Sequence, residues 1–212
     1  TSTSIPYLMT KANDQAMQPS FLSVFKQAGF KVFWLSNQAK YGKFDSLISS
    51  YAAAADVVHF MSSHSYSMAN LENYDEKLLP FYQQAIADKT QKKLIIVHLY
   101  GSHPDFEQRY PASAKIFANS YDNSIYYTDS ILQKIIAPLA VSQQQATAML
   151  YLSDHGLSLG ECGQVDGHID AKNSYEVPFL MWFNPVWQQN NANKYQTLQQ
   201  KQAHPICTGD MF

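Results

Sequence analysis

The chain has 212 residues, of which 46% are hydrophobic, 14% aromatic and 15% charged. This composition excludes a disordered chain and suits one α/β domain with a sizeable core. The formal net charge is −2 with no run of Lys or Arg, which argues against nucleic acid as a partner, and no apolar stretch approaches the ~20 residues of a membrane span.

In chain order, residues 14–30 (DQAMQPSFLSVFKQAGF) read as a helix with Gly29 near its end. KVFWLS (31–36) and DVVHFM (56–61) read as strands. Residues 73–89 (NYDEKLLPFYQQAIADK) read as a helix, with Asn73 as its cap and Pro80 as a blemish inside it. KKLIIVHLY (92–100) is the clearest buried strand, and His98 within it reads as a satisfied core histidine. Residues 119–140 form an amphipathic helix whose apolar positions are Tyr121, Ile125, Thr128, Leu132, Ile135 and Leu139. Strands follow at 147–152 and at 177–183 (VPFLMWF), then a polar segment, 188–202, expected as a solvated helix or loop. The alternation predicts an α/β fold, a mostly parallel central sheet with helices on both faces, as a single domain over 1–212. No secretory signal is visible, and both ends of the chain read as the interior of a domain, so a piece cut at both ends is expected. Cys162 and Cys207 could pair or stay free thiols.

Ligands in open α/β sheets bind beyond the carboxyl ends of strands. Three strand ends carry the residues for chemistry: Ser36-Asn37-Gln38 with Lys40, Gly101-Ser102-His103, and Ser153-Asp154-His155-Gly156. These are expected to converge on one site. Asp154 and His155 offer the oxygen and nitrogen donors that suit zinc, provided the backbone turns at Gly156. Read alone, the same pair could be a capping Asp and a surface His. His103 could be an exposed loop residue or a phosphate or metal contact, and His168, across a polar loop, is open in the same way. Thr1 and Thr3 in TSTSIP could be turn residues, or nucleophiles if a base or metal activates a hydroxyl.

Taken together, TSTSIP, GFKVFWLSNQ, NYDEKLLP, VHLYGSHPDFEQRYP, SYDNSIYYTDSIL, YLSDHGLSLGE and VPFLMWF resemble, in order, the motifs of the periplasmic catalytic domain of bacterial phosphoethanolamine transferases, in the alkaline phosphatase/sulfatase superfamily. The resemblance implies a nucleophile at Thr1, with Thr3 as the fallback, and zinc ligands at Asp154 and His155. It implies contacts of His103 and His168 with the transferred phosphate or a second metal, and places Asn37 and Lys40 on the substrate side. It further implies one Zn²⁺, with a second left open, phosphatidylethanolamine as donor and a lipopolysaccharide acceptor (lipid A or a core sugar). Members act at the periplasmic face of the inner membrane and carry transmembrane helices that this chain lacks. The family's remaining zinc carboxylate lies upstream of the nucleophile, so weak zinc binding is expected of these residues alone. Leu157 stands where many members have Glu. A hydrolase of the same superfamily and a non-catalytic domain that keeps the fold are the alternatives.

Overall fold

The computed structural model describes residues 20–42, 46–64, 73–142, 144–160, 167 and 169–207. They divide between two compact units, one within residues 2–135 and one within 136–211.

The first unit begins with helix α1 (Phe21–Gln27), which Ser20 caps by accepting from the backbone of Ser23. The helix expected over 14–30 therefore starts at this cap within the described residues, and residues 14–19 lie outside them. Its end is as expected, with Gly29 at φ +82°, a left-handed conformation that a side chain resists. Strand β1 (Lys31–Tyr41), helix α2 (Ser46–Ala52) and strand β2 (Val57–His64) follow. A 3₁₀ turn (Asp75–Leu78) leads into helix α3 (Leu79–Ala87), and strand β3 is Lys93–His98. Pro80 is no blemish, because α3 begins one residue before it and the first turn needs no proline N–H. Asn73 is not a cap. Its carbonyl accepts from Asn37 Nδ2 at 2.9 Å, tying the 3₁₀ turn to β1.

Strands β2, β1 and β3 lie in that order, all parallel. Central β1 is almost continuously buried, as a strand covered on both faces must be. On one face Val32 and Trp34 join Leu22 of α1 and Ile48 and Ala52 of α2 in a core cluster, with Phe25, Phe60, Leu94 and Ile96 packed around it. Phe33 and Leu35 point the other way by the alternation of a strand and are equally buried. Helix α3 packs on β1 and β3, with Tyr82 donating to the carbonyl of Ile135 at 2.9 Å. That carbonyl belongs to helix α4 (Ser120–Ala140), whose buried face differs from the apolar pattern. Asn123, Ser124, Tyr127, Thr128, Ile131 and Ile135 are buried, whereas Ile125 is 44% exposed. The polar members satisfy themselves locally: Ser124 donates to Tyr121 O at 2.7 Å and Thr128 to Ser124 O at 3.0 Å.

The second unit holds strand β4 (Ala148–Leu152), a short helix α5 (Lys172–Tyr175) and strand β5 (Phe179–Phe183), with β4 and β5 antiparallel. Helices α6 (Pro185–Asn190) and α7 (Ala192–Gln200) close it, the latter within the segment expected to be polar and solvated. Asn184 is fully buried and organises this unit. Its Nδ2 donates to Ser142 O and Gln145 O, and its Oδ1 accepts from Thr147 N and Trp187 N. One side chain thus orders the entry to β4 and the start of α6. Cys207 is an exposed free thiol, and Cys162 lies outside the described residues. Among the described residues no helix is long and apolar enough to cross a membrane.

Two predictions follow from these contacts. Asn184→Ala removes four hydrogen bonds to partly buried backbone groups, at Ser142, Gln145, Thr147 and Trp187, and should cost about 2–4 kcal/mol in urea denaturation; an unchanged midpoint contradicts the hub role. Asp56 accepts from Val32 N at 2.8 Å and pairs with Lys26 at 2.9 Å, and first that N–H, then Lys26, hold its carboxyl below the usual range. A lowered folded pKa stabilises above the ordinary carboxylate range and is lost as pH falls through it. Asp56→Asn should therefore reduce the loss of stability on acidification below about pH 4. An unaltered acid profile contradicts this.

Candidate active site

In the first unit the polar residues gather where β1 and β3 run side by side. Ser36 lies opposite His98, the last residue of β3, and its Oγ sits 3.0 Å from His98 Nδ1 while accepting from Gln38 N at 3.1 Å. His98 is thus satisfied, as expected. The polar segment 36–40 is not beyond the strand but within it, because β1 keeps pairing with β2 to Tyr41. Its register slips between Ser36 and Ala39, where β1 carries an extra residue. Such a bulge re-aims side chains. Here Asn37, fully buried, donates from Nδ2 to Asp75 Oδ1 at 2.7 Å and to Asn73 O. Lys40 lies further along, exposed, its ammonium 5.2 Å from the Tyr41 ring centroid.

Asp75 is the residue that the sequence reading missed. It is 3% exposed, and its carboxylate also receives Tyr100 N at 2.8 Å and Gly101 N at 2.9 Å. Burial pushes its carboxyl above the usual range, against the pull of those N–H groups, Asn37 and Arg109. Only the acidic NYDE stretch, among the motifs that carry the resemblance, hinted at it. The loop that Asp75 holds turns at Gly101, with φ +61°, and leads to His103, which is exposed and meets the Tyr100 ring edge-on with centroids 5.2 Å apart. On Tyr100 also sits the Arg109 guanidinium, 4.2 Å from the ring centroid.

In the second unit β4 ends at Leu152 and the chain bends at Asp154. His155 Nδ1 lies 3.0 Å from Gly156 O. A carbonyl only accepts, so Nδ1 donates here, which leaves Nε2 as the nitrogen a metal would use. Nε2 stands 3.5 Å from Asp154 Oδ2, with both side chains more than two-thirds shielded. Donor atoms on one tetrahedral zinc, each ~2.0–2.1 Å away, sit ~3.3–3.4 Å apart, so this pair fits two of its corners. The second-nitrogen bond to a carbonyl is also the support that metal-bound histidines use. Among the described residues no third His, Cys, Asp or Glu joins them.

Gly156 serves a different purpose from the turn expected of it. Its φ is not positive; instead its N donates to Ser174 O at 2.9 Å, and a Cβ there would overlap the carbonyl of Asn173. Glycine is needed for close approach to α5. Further on, Ser158 and Gly167 exchange backbone hydrogen bonds at 3.0 and 2.8 Å, which brings the chain back three residues after His155. Thr1, Thr3 and His168 lie outside the described residues. The Asp154–His155 pair and the group around Asn37, Asp75 and His103 belong to different compact units.

The sulfatase family profile matches residues 1–205. Among curated proteins, the putative transferase YhbX of Escherichia coli (strain K12) is 32% identical over 178 residues, which are 79% of this chain and 30% of that protein. Phosphoethanolamine transferase OpgE of the same strain is 34% identical over 174 residues, 77% of this chain and 33% of that protein. The chain thus spans about a third of the length of these relatives. Among solved structures, the C-terminal periplasmic domain of EcEptC from Escherichia coli in complex with Zn superposes with a TM-score of 0.80 at 26% identity, over 89% of this chain and 60% of that one. The soluble domain of lipooligosaccharide phosphoethanolamine transferase A from Neisseria meningitidis, at 23% identity and a TM-score of 0.78 over 97% of this chain and 69% of that one, shows the same fold. The expected alkaline phosphatase/sulfatase-like fold is borne out.

Because a methyl at position 156 has no room beside Asn173, Gly156→Ala should destabilise the protein by about 1–3 kcal/mol in denaturant titration. Equal stability would mean that α5 is not packed there.

Proposed function

The chain belongs to the sulfatase family, and we propose that it is the catalytic domain, over 1–212, of a phosphoethanolamine transferase working at the periplasmic face of the inner membrane. The observation that carries this reading is the geometry of Asp154 Oδ2 and His155 Nε2, two converging donors with the imidazole oriented by a backbone carbonyl. Relatives named phosphoethanolamine transferases and a solved relative in complex with Zn support it. Donor and acceptor are proposed as phosphatidylethanolamine and a lipopolysaccharide, lipid A or a core sugar. Membrane attachment would come from segments outside this chain.

Asp154 and His155 would hold a zinc ion, whose charge would favour the ionised threonine hydroxyl and offset charge on a phosphate oxygen. Thr1, with Thr3 as the fallback, supplies the hydroxyl. Its oxygen forms a bond to phosphorus as the bond from phosphorus to the diacylglycerol oxygen breaks, and the released oxygen takes up a proton. The acceptor oxygen then attacks the same phosphorus, the threonine oxygen leaves, and the acceptor's proton is given up. His103 and His168 would donate hydrogen bonds to the phosphate oxygens as charge builds on them, and one would carry a proton. The alternative role of His103 and His168 is to help hold a second metal. Lys40, exposed, is proposed to meet substrate charge; Asn37, buried, would act by what it holds in place.

After incubation of the full-length protein with phosphatidylethanolamine, mass spectrometry should find phosphoethanolamine on the peptide containing Thr1. His155→Ala should abolish it. Release of free phosphoethanolamine without an acceptor would favour the hydrolase reading, and an unmodified peptide with no turnover would sink both.

A further inference from the structure

Burying a carboxylate is costly unless donors surround it, and apolar residues of similar volume often serve stability as well. Asp75 must therefore be explained by what its position does. Its two oxygens are taken by consecutive backbone N–H groups, Tyr100 and Gly101, together with the Asn37 amide. Two successive N–H groups reach one carboxylate only if the backbone between them turns sharply, and Gly101 sits at φ +61°. Two residues later comes His103, whose ring stands against Tyr100, the residue whose backbone Asp75 grips. Asp75 is fixed in turn from the β1 bulge, because Asn37 Nδ2 bonds both Asp75 and the carbonyl of Asn73. An unbroken line of hydrogen bonds and ring contact thus runs from the central strand through Asp75 to the histidine loop.

We propose that Asp75 is a positioning residue, whose carboxylate holds the Tyr100–Gly101 turn in the shape that presents His103 to the substrate phosphate. This rests on the role given to His103 above. Asp75 itself touches no substrate, being buried beneath the loop.

The test uses the full-length protein with Asp75→Asn, which keeps the shape but sets an NH₂ group against a backbone donor. Amide exchange at Tyr100 and Gly101 should accelerate while residues 32–35 of β1 and 94–97 of β3 keep their rates. Turnover (kcat) should fall about 10–100-fold with KM little changed, the usual size for a supporting residue. In a His103→Ala background the same substitution should cost nothing further, because Asp75 acts through that histidine. Should Asp75→Asn fail to fold, Asn37→Leu removes one of the carboxylate's donors and should give a smaller effect of the same kind. Unchanged loop exchange, or rate losses that multiply in the double variant, would overturn the proposal. Faster exchange throughout β1 and β3 would overturn it too, showing a general structural role. If His103→Ala alone leaves turnover intact, the reading of His103 falls, while loop exchange still decides whether Asp75 holds the turn.

Discussion

A carboxylate sealed from water has to be met by donors on every side, and the first unit is arranged around how Asp75 meets them. The donors come from two places far apart in the chain, the bulge of β1 and the turn after β3, and the acid itself opens a 3₁₀ turn before α3. Moving any one of these would strand a charge in a medium where it is expensive. The bulge, the positive φ of Gly101 and the Asn37–Asn73 tie can therefore be understood as parts of one solution to one electrostatic demand. That solution lies at the carboxyl ends of parallel strands, the place where such sheets put their ligands.

The second unit meets a similar demand with neutral groups. Asn184 uses its amide to satisfy backbone at the end of the β4–β5 pair where β4 begins and β5 leaves. Gly156 lets the turn after β4 lie directly on α5. Between these anchors the Asp154–His155 pair has little freedom: one imidazole nitrogen is spoken for by a carbonyl, and the other stands at the carboxylate. A pair held this way before any ligand arrives loses less entropy when one binds. Sequence and fold place the protein among sulfatase-family proteins, relatives of which are named phosphoethanolamine transferases.

How much of this could be read from the residues depended on how local the cause was. The strands were legible as apolar runs, although β3, read as the clearest buried strand, is half-buried along its length and β4 and β5 pair antiparallel; so was the pair after β4, because strand, acid, imidazole and glycine are adjacent. The far half of β1 was not: polar Ser36, Asn37 and Gln38 end the apolar run while the hydrogen bonds to β2 continue. The face of α4 was misjudged at Ile125, since the buried hydroxyl of Ser124 bonds to its own helix and passes for an exposed position, while Thr128 lies on the buried face as expected. Gly156 looked like a turn residue; its real neighbour, Asn173, is remote in sequence. Asp75 was hidden for the same reason, since nothing near it announces that residues 37, 100 and 101 will close over it.

The proposed chemistry requires that Asp154 and His155 share a metal ion. Anomalous scattering from crystals of the full-length protein, recorded on both sides of the zinc absorption edge, tests this directly. The account predicts a single strong zinc peak ~2 Å from both Asp154 Oδ2 and His155 Nε2. Zinc located elsewhere, or a zinc-saturated crystal with no peak between those two atoms, would contradict it.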